Sequence, residues 1–81
     1  MKVLVRLFAA ARQLAGAETL ELQIPAGAAV SDLRRRLAEE YPQLVPILPH
    51  VAFALNSQYA EDKSKIPPGA EIACIPPVSG G

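Results

Sequence analysis

The sequence predicts an α+β two-layer domain, a sheet of four to five strands packed on one main helix with a second, short helix. Three observations carry this expectation. Periods of two and of 3.6 residues alternate in the order strand, short helix, strand, long helix, strand, short strand, strand. Only one segment is long enough to serve as a helical crossover between parallel strands. And 81 residues suffice for a single modest core but not for two.

Lys2 to Phe8 opens with Val3, Val5 and Leu7 on one face and Lys2, Leu4, Arg6 and Phe8 on the other. That is a strand with one clearly buried face. The second face is mixed, and Phe8 is a large apolar group on the outward side. Ala9 to Ala15 is made of strong helix formers and is stopped by Gly16, which predicts about two helical turns. In Thr19–Ile24, Leu20, Leu22 and Ile24 share one face and Thr19, Glu21 and Gln23 the other, and Pro25-Ala26-Gly27 ends the run.

Val30, Leu33, Leu37, Ala38 and Tyr41 form an apolar stripe at helical spacing. Asp32 falls in the first turn, where the helix dipole favours a negative charge, and Pro42 stops the helix after Tyr41. Arg35–Glu39 and Arg36–Glu40 are spaced as i,i+4 pairs, which reads the Arg34-Arg35-Arg36 run as a solvated helix face; the other reading is a basic patch for an acidic partner. Pro42, Pro46 and Pro49 make residues 42–50 a loop with at most a helical turn, and His50 has no second ligand near it in sequence. Val51–Leu55 reads as a third strand with Ala52 and Ala54 giving a flat outer face, Asn56-Ser57 as a turn, Gln58–Ala60 as a short strand and Glu71–Ile75 as the last strand. Cys74 in that strand reads as a small core residue, since a reactive thiol needs nearby positive charge or a helix terminus.

Composition narrows the function. Eight basic and eight acidic side chains leave no net charge, against the basic excess usual in nucleic-acid binders. No apolar run approaches a membrane span, no signal-peptide layout is present, and one cysteine forms no internal disulfide, so the expected address is the cytoplasm, away from membranes. No Ser/His/Asp set, Cys/His pair or metal cluster offers catalysis.

The last residues are the unusual ones. Pro76 and Pro77 remove two backbone donors and end sheet pairing at Ile75, so 1–75 reads as the folded domain and 76–81 as an extended tail. From Pro77 that tail spans roughly 16 Å at about 3.3 Å per residue. It ends in Gly80 and Gly81, which have the most freedom to lose on ordering and no Cβ to block a narrow channel. A frayed small-residue terminus is the plainer alternative.

Four stretches resemble a known family: Phe8-Ala9-Ala10-Ala11-Arg12 with Leu14 and Gly16; Val30-Ser31-Asp32-Leu33; Ala54-Leu55-Asn56; and the whole of Pro68 to Gly81. Together they are similar to β-grasp, ubiquitin-like sulfur carriers, and within them to the small subunits of molybdopterin synthase. The closing block is the specific one. Two positions depart from the family's habit: Ala70, where an acidic residue is usual, and Ala29, where a threonine cap often stands, a loss worth about 1 kcal/mol of helix stability.

The resemblance implies a mixed β-grasp sheet and a chain that is not catalytic alone, the sulfur-donating subunit of a sulfurtransferase complex. An adenylating, E1-like enzyme would use ATP to activate Gly81, and a persulfide donor would convert it to a thiocarboxylate. Inserted into the large synthase subunit, within an expected heterotetramer, Gly81 would then sulfurate a pterin precursor in molybdenum cofactor biosynthesis. No cofactor is expected on this chain itself; ATP belongs to the activating partner. Gly80 would keep the arm thin, Pro76 and Pro77 would stiffen its base, and Val78 and Ser79 would line the channel. Phe8, Tyr59 and Ile75 are the expected docking patch, or else cover a core edge. A carrier for thiamine synthesis or tRNA thiolation, and a ubiquitin-like protein modifier, remain open alternatives.

Overall fold

The computed structural model describes residues 1–77. The elements are β1 (Lys2–Leu7), α1 (Ala9–Ala15), β2 (Thr19–Gln23), α2 (Val30–Glu40), 3₁₀ turns at Pro42–Leu44 and Leu48–His50, β3 (Ala52–Leu55), β4 (Gln58–Ala60) and β5 (Ile72–Ile75). One mixed sheet runs in the order β2-β1-β5-β3-β4. Its single parallel pair is β1 with β5, whose connection contains α2; the other neighbours are antiparallel. The expected elements are all present, with Phe8, Ile24, Val51 and Glu71 falling just outside their strands.

The turns follow their residues. Gly16 ends α1 in the left-handed region (φ 69°), and its N–H donates to the Arg12 carbonyl. Asn56 and Ser57 both take positive φ, 51° and 69°, as a two-residue hairpin between β3 and β4 requires. Alternation does the rest. Val3, Val5, Leu7, Leu20, Leu22, Phe53, Ile72 and Cys74 point to the side covered by α2 and are buried. Helix α2 answers with Val30, Leu33 and Leu37, all fully buried, while Ala38 and Tyr41 are half-buried. Leu44 and Leu48 bring the proline-rich connection into the same core.

Two expectations about α2 need correction. Arg34 is not part of a solvated face: its side chain is 22% exposed. Its guanidinium donates to the Leu48 carbonyl, to the Val51 carbonyl at 2.9 Å, and to Asp62 at 2.7 Å, and it lies 5.0 Å from the Phe53 ring centroid. A long side chain thus buries its stem and uses its forked donors to pin the 48–51 segment to the helix. Arg35 pairs with Asp32 at 3.0 Å and not with Glu39; Arg36 reaches both Glu39 and Glu40.

The missing threonine cap is also replaced. Ala29 has no side-chain acceptor, but the Asp32 carboxylate accepts from the Ala29 N–H at 2.9 Å. The Val30 and Ser31 N–H groups donate to the Ser64 and Asp62 carbonyls, both at 2.9 Å. The first-turn donors that a cap would serve are therefore satisfied by a segment thirty residues later in the chain.

Candidate functional site

Helix α2 covers one side of the sheet. The opposite side carries the alternate residues, and the registers give its layout. One row reads Thr19, Arg6, Ala73, Ala54 and Tyr59 across all five strands. The next row, at the end of the sheet where β5 stops, holds Ile75 beside Ala52, with Phe8 following Leu7 on the other flank. The Phe8 N–H donates to the Cys74 carbonyl at 3.3 Å, which carries the β1–β5 pairing one residue further.

Beside Thr19 and Arg6, this surface carries large apolar groups and small alanines. Leu4 is 52% exposed, Phe8 41% and Tyr59 75%. Ile75 and Ala73 are half-buried, and Ala54 is buried although it stands outside the core cluster. Contiguous exposed apolar groups of this kind are a common mark of an interaction surface. Of the three residues expected to form it, Phe8 and Ile75 are neighbours. Tyr59 lies three strands from Phe8, about 14 Å at about 4.8 Å per strand, with alanines forming a flat floor between them. Leu4 belongs to the same surface and was missed, although it shares the period-two face of Arg6 and Phe8.

The joint after Phe8 is strained. Ala9 takes φ 51°, a left-handed conformation that costs an L-residue about 1–2 kcal/mol. The turn leaves Phe8 extended (φ −122°, ψ 153°) and exposed, while Ala11, one helical step on, is fully buried. Strain held in place by its surroundings tends to mark positions where a side chain's direction matters.

The tail grows from the centre of this arrangement. β5, the strand that leads into it, is the middle strand of the five and is paired on both sides. Pro76 is buried and Pro77 exposed. Val78, Ser79, Gly80 and Gly81 lie outside the described residues.

Among the described residues no group of three or more His, Cys, Asp or Glu side chains is placed to hold a metal ion. His50 is exposed on its 3₁₀ turn. Burial pushes the Cys74 thiol up to about 11 from an ordinary 9.0, against the opposing pull of Arg34, so it stays protonated at neutral pH. No helix among the described residues is long and apolar enough to cross a membrane.

Comparison with known proteins agrees with this architecture. The chain is 36% identical over 81 residues to the molybdopterin synthase sulfur carrier subunit of Arabidopsis thaliana, covering all of this chain and 84% of that protein. Its fold matches the crystal structure of SAMP1 from Haloferax volcanii with a TM-score of 0.86 at 27% identity, over the whole of both chains. It also matches a chain of the complex of subunits 1 and 2 of the molybdopterin-converting factor from Helicobacter pylori, with a TM-score of 0.70 at 27% identity over the whole of both chains. The sequence pattern of the ThiS family covers residues 5–81, and with the β-grasp sheet now in place the chain belongs to that family.

Proposed function

We propose that this chain is the sulfur carrier subunit of a molybdopterin synthase, donating sulfur from a Gly81 thiocarboxylate to a pterin precursor. The observation that carries this reading is the placing of the tail. The central strand β5 ends at Ile75 beside Phe8, at the edge of an uncovered apolar surface, so a protein docked there stands next to the start of the arm. Two observations support the large synthase subunit as that protein: the name of the Arabidopsis relative and the Helicobacter complex.

The steps follow from what a terminal carboxylate is. With a pKa of about 3.3–3.7 it is ionised at neutral pH and is a poor acyl donor. An adenylating enzyme joins it to the α-phosphate of ATP, releasing pyrophosphate. The terminal sulfur of a persulfide then attacks the acyl carbon and AMP leaves. A thiol cleaves the resulting acyl disulfide, leaving the thiocarboxylate, whose sulfur is the nucleophile toward the pterin precursor. This chain contributes no acid, base or cofactor to these steps; it positions Gly81. Thin Gly80 and stiff Pro76 and Pro77 lower the ordering entropy lost on insertion.

Intact-mass spectrometry of the protein isolated from its own cell tests the proposal. A fraction heavier by the difference between sulfur and oxygen, lost together with synthase activity when Gly81 is deleted, is the expected result. The deletion is expected to leave the melting temperature nearly unchanged, because the core is built from residues before Pro76. Full activity without Gly81 would overturn the mechanism. The likeness to SAMP1, a small archaeal modifier protein by name, favours a second reading in which Gly81 forms an isopeptide bond with a target lysine. A higher-mass conjugate that resists reducing agents would establish it.

A further inference from the structure

Four of the five arginines have a carboxylate partner: Arg12 with Glu18, Arg34 with Asp62, Arg35 with Asp32, and Arg36 with Glu39 and Glu40. Arg6 is the exception; among the described residues no carboxylate oxygen lies within 4.0 Å of it. It stands on the uncovered side of the sheet, between Leu4 and Phe8 along β1 and between Thr19 and Ala73 across it. Its guanidinium carbon lies 5.7 Å from the Phe8 ring centroid. Beside it, a depression of about 420 Å³ opens between β1 and the Gly69–Ile72 segment, lined by Leu4, Arg6, Thr19, Ala70, Glu71 and others.

A partner seated on Phe8 and Ile75 strips water from Arg6. A guanidinium desolvated without a counter-charge is strongly unfavourable, whereas one that meets a carboxylate gains a short, often two-pronged hydrogen bond. Stacking on Phe8 occupies one face of a cation and leaves its N–H edge for an acceptor in the guanidinium plane. Within this chain, Lys2 and Glu21 already satisfy each other at 3.1 Å. Glu71, which also lines the depression and falls level with Leu4 in the β1–β5 register, makes no ion pair with Arg6 within 4.0 Å. We propose that Arg6 is the specificity-determining cation of this surface, and that the protein docking there presents an Asp or Glu side chain into the depression beside Leu4. Arg6 has this role only if a large synthase subunit docks on this face, as proposed above.

Titration calorimetry of the whole chain with its large synthase subunit, at low and high salt, tests both statements separately. The unmodified chain binds, and more weakly as salt rises. Arg6→Leu keeps an apolar stem and enlarges the apolar patch, yet binds at least about tenfold more weakly and loses most of the salt dependence. Arg6→Glu binds more weakly still, and Arg6→Lys keeps the salt dependence. All three variants melt with the unmodified chain, since the position is exposed. Equal or tighter binding of Arg6→Leu overturns the role of Arg6 while leaving the docking surface standing. Weakening by Glu71→Gln equal to that of Arg6→Leu overturns the partner carboxylate, because the counter-charge is then internal. No binding by the unmodified chain removes the docking surface itself, and Arg6 with it.

Discussion

The two sides of the sheet are built from the same strands and obey opposite rules. Along β5, Ile72 and Cys74 are buried in the core, while Ala73 and Ile75 look out between neighbours no larger than alanine on the β3 side. On the inner side Val3, Val5, Leu7, Leu20, Leu22, Phe53, Ile72 and Cys74 are all buried, and packing decides stability. On the outer side the large apolar groups are Leu4 on β1, Phe8 just after it, Ile75 at the end of β5 and Tyr59 on β4, around a floor of Ala52, Ala54 and Ala73. The difference teaches that a period of two lets one strand serve two purposes: residue i holds the body together, and residue i+1 is free to form the docking surface proposed above.

Substitutions that respect or ignore this division test it most directly. Phe53→Ala on the inner side removes the largest fully buried side chain and is expected to cost about 3–5 kcal/mol, with no route to an effect on docking except through unfolding. In a domain of this size each kcal/mol lowers the melting temperature by about 4–8 °C, so calorimetry reads it easily. Ile75→Lys, one residue past Cys74, should do the reverse. It places a charge on the outer patch, weakens association with the large subunit by about tenfold or more, and leaves the melting temperature within a few degrees. Unchanged affinity would remove Ile75 from the docking surface. The smallest effect concerns Cys74. Its folded pKa is raised, so the folded thiol keeps its proton up to about 11 whereas the unfolded one begins to lose it near 9.0. The stabilisation is thus complete below pH 9 and is lost as pH rises through that window. Comparing melting curves of the unmodified chain and Cys74→Ala at pH 8 and pH 10.5 isolates this contribution from other groups that titrate there. A difference between the two chains that does not change with pH would break the account.

Much of this was readable in the residues. The alternation in β1 and β2, the stripe of α2, the glycine stop after Ala15 and the prolines ending β5 are local signals with local causes, and the elements formed where those signals fall. What escaped depended on distant segments. The inward turn of Arg34 is decided by carbonyls of Leu48 and Val51, whose positions are set by a proline-rich connection that carries no periodic signal. The cap of α2 comes from Asp62 and Ser64, so the sequence around Ala29 could only show a deficit. The same holds for the outer surface. Phe8 and Ile75 can be recognised one by one as outward apolar groups, but their adjacency requires the parallel pairing of β1 with β5 across most of the chain, and Leu4 joins them only then.

The middle position of β5 has a mechanical consequence. Parallel hydrogen bonds to β1 hold it on one flank and antiparallel ones to β3 on the other. A tug on the residues beyond Pro77, when an enzyme grips or releases the chain end, loads both ladders in shear along the strand axis, so several hydrogen bonds must yield together. An edge strand such as β4 would peel open one bond at a time. The transfers proposed above, from activating enzyme to synthase, would therefore pull on the carrier without unravelling it.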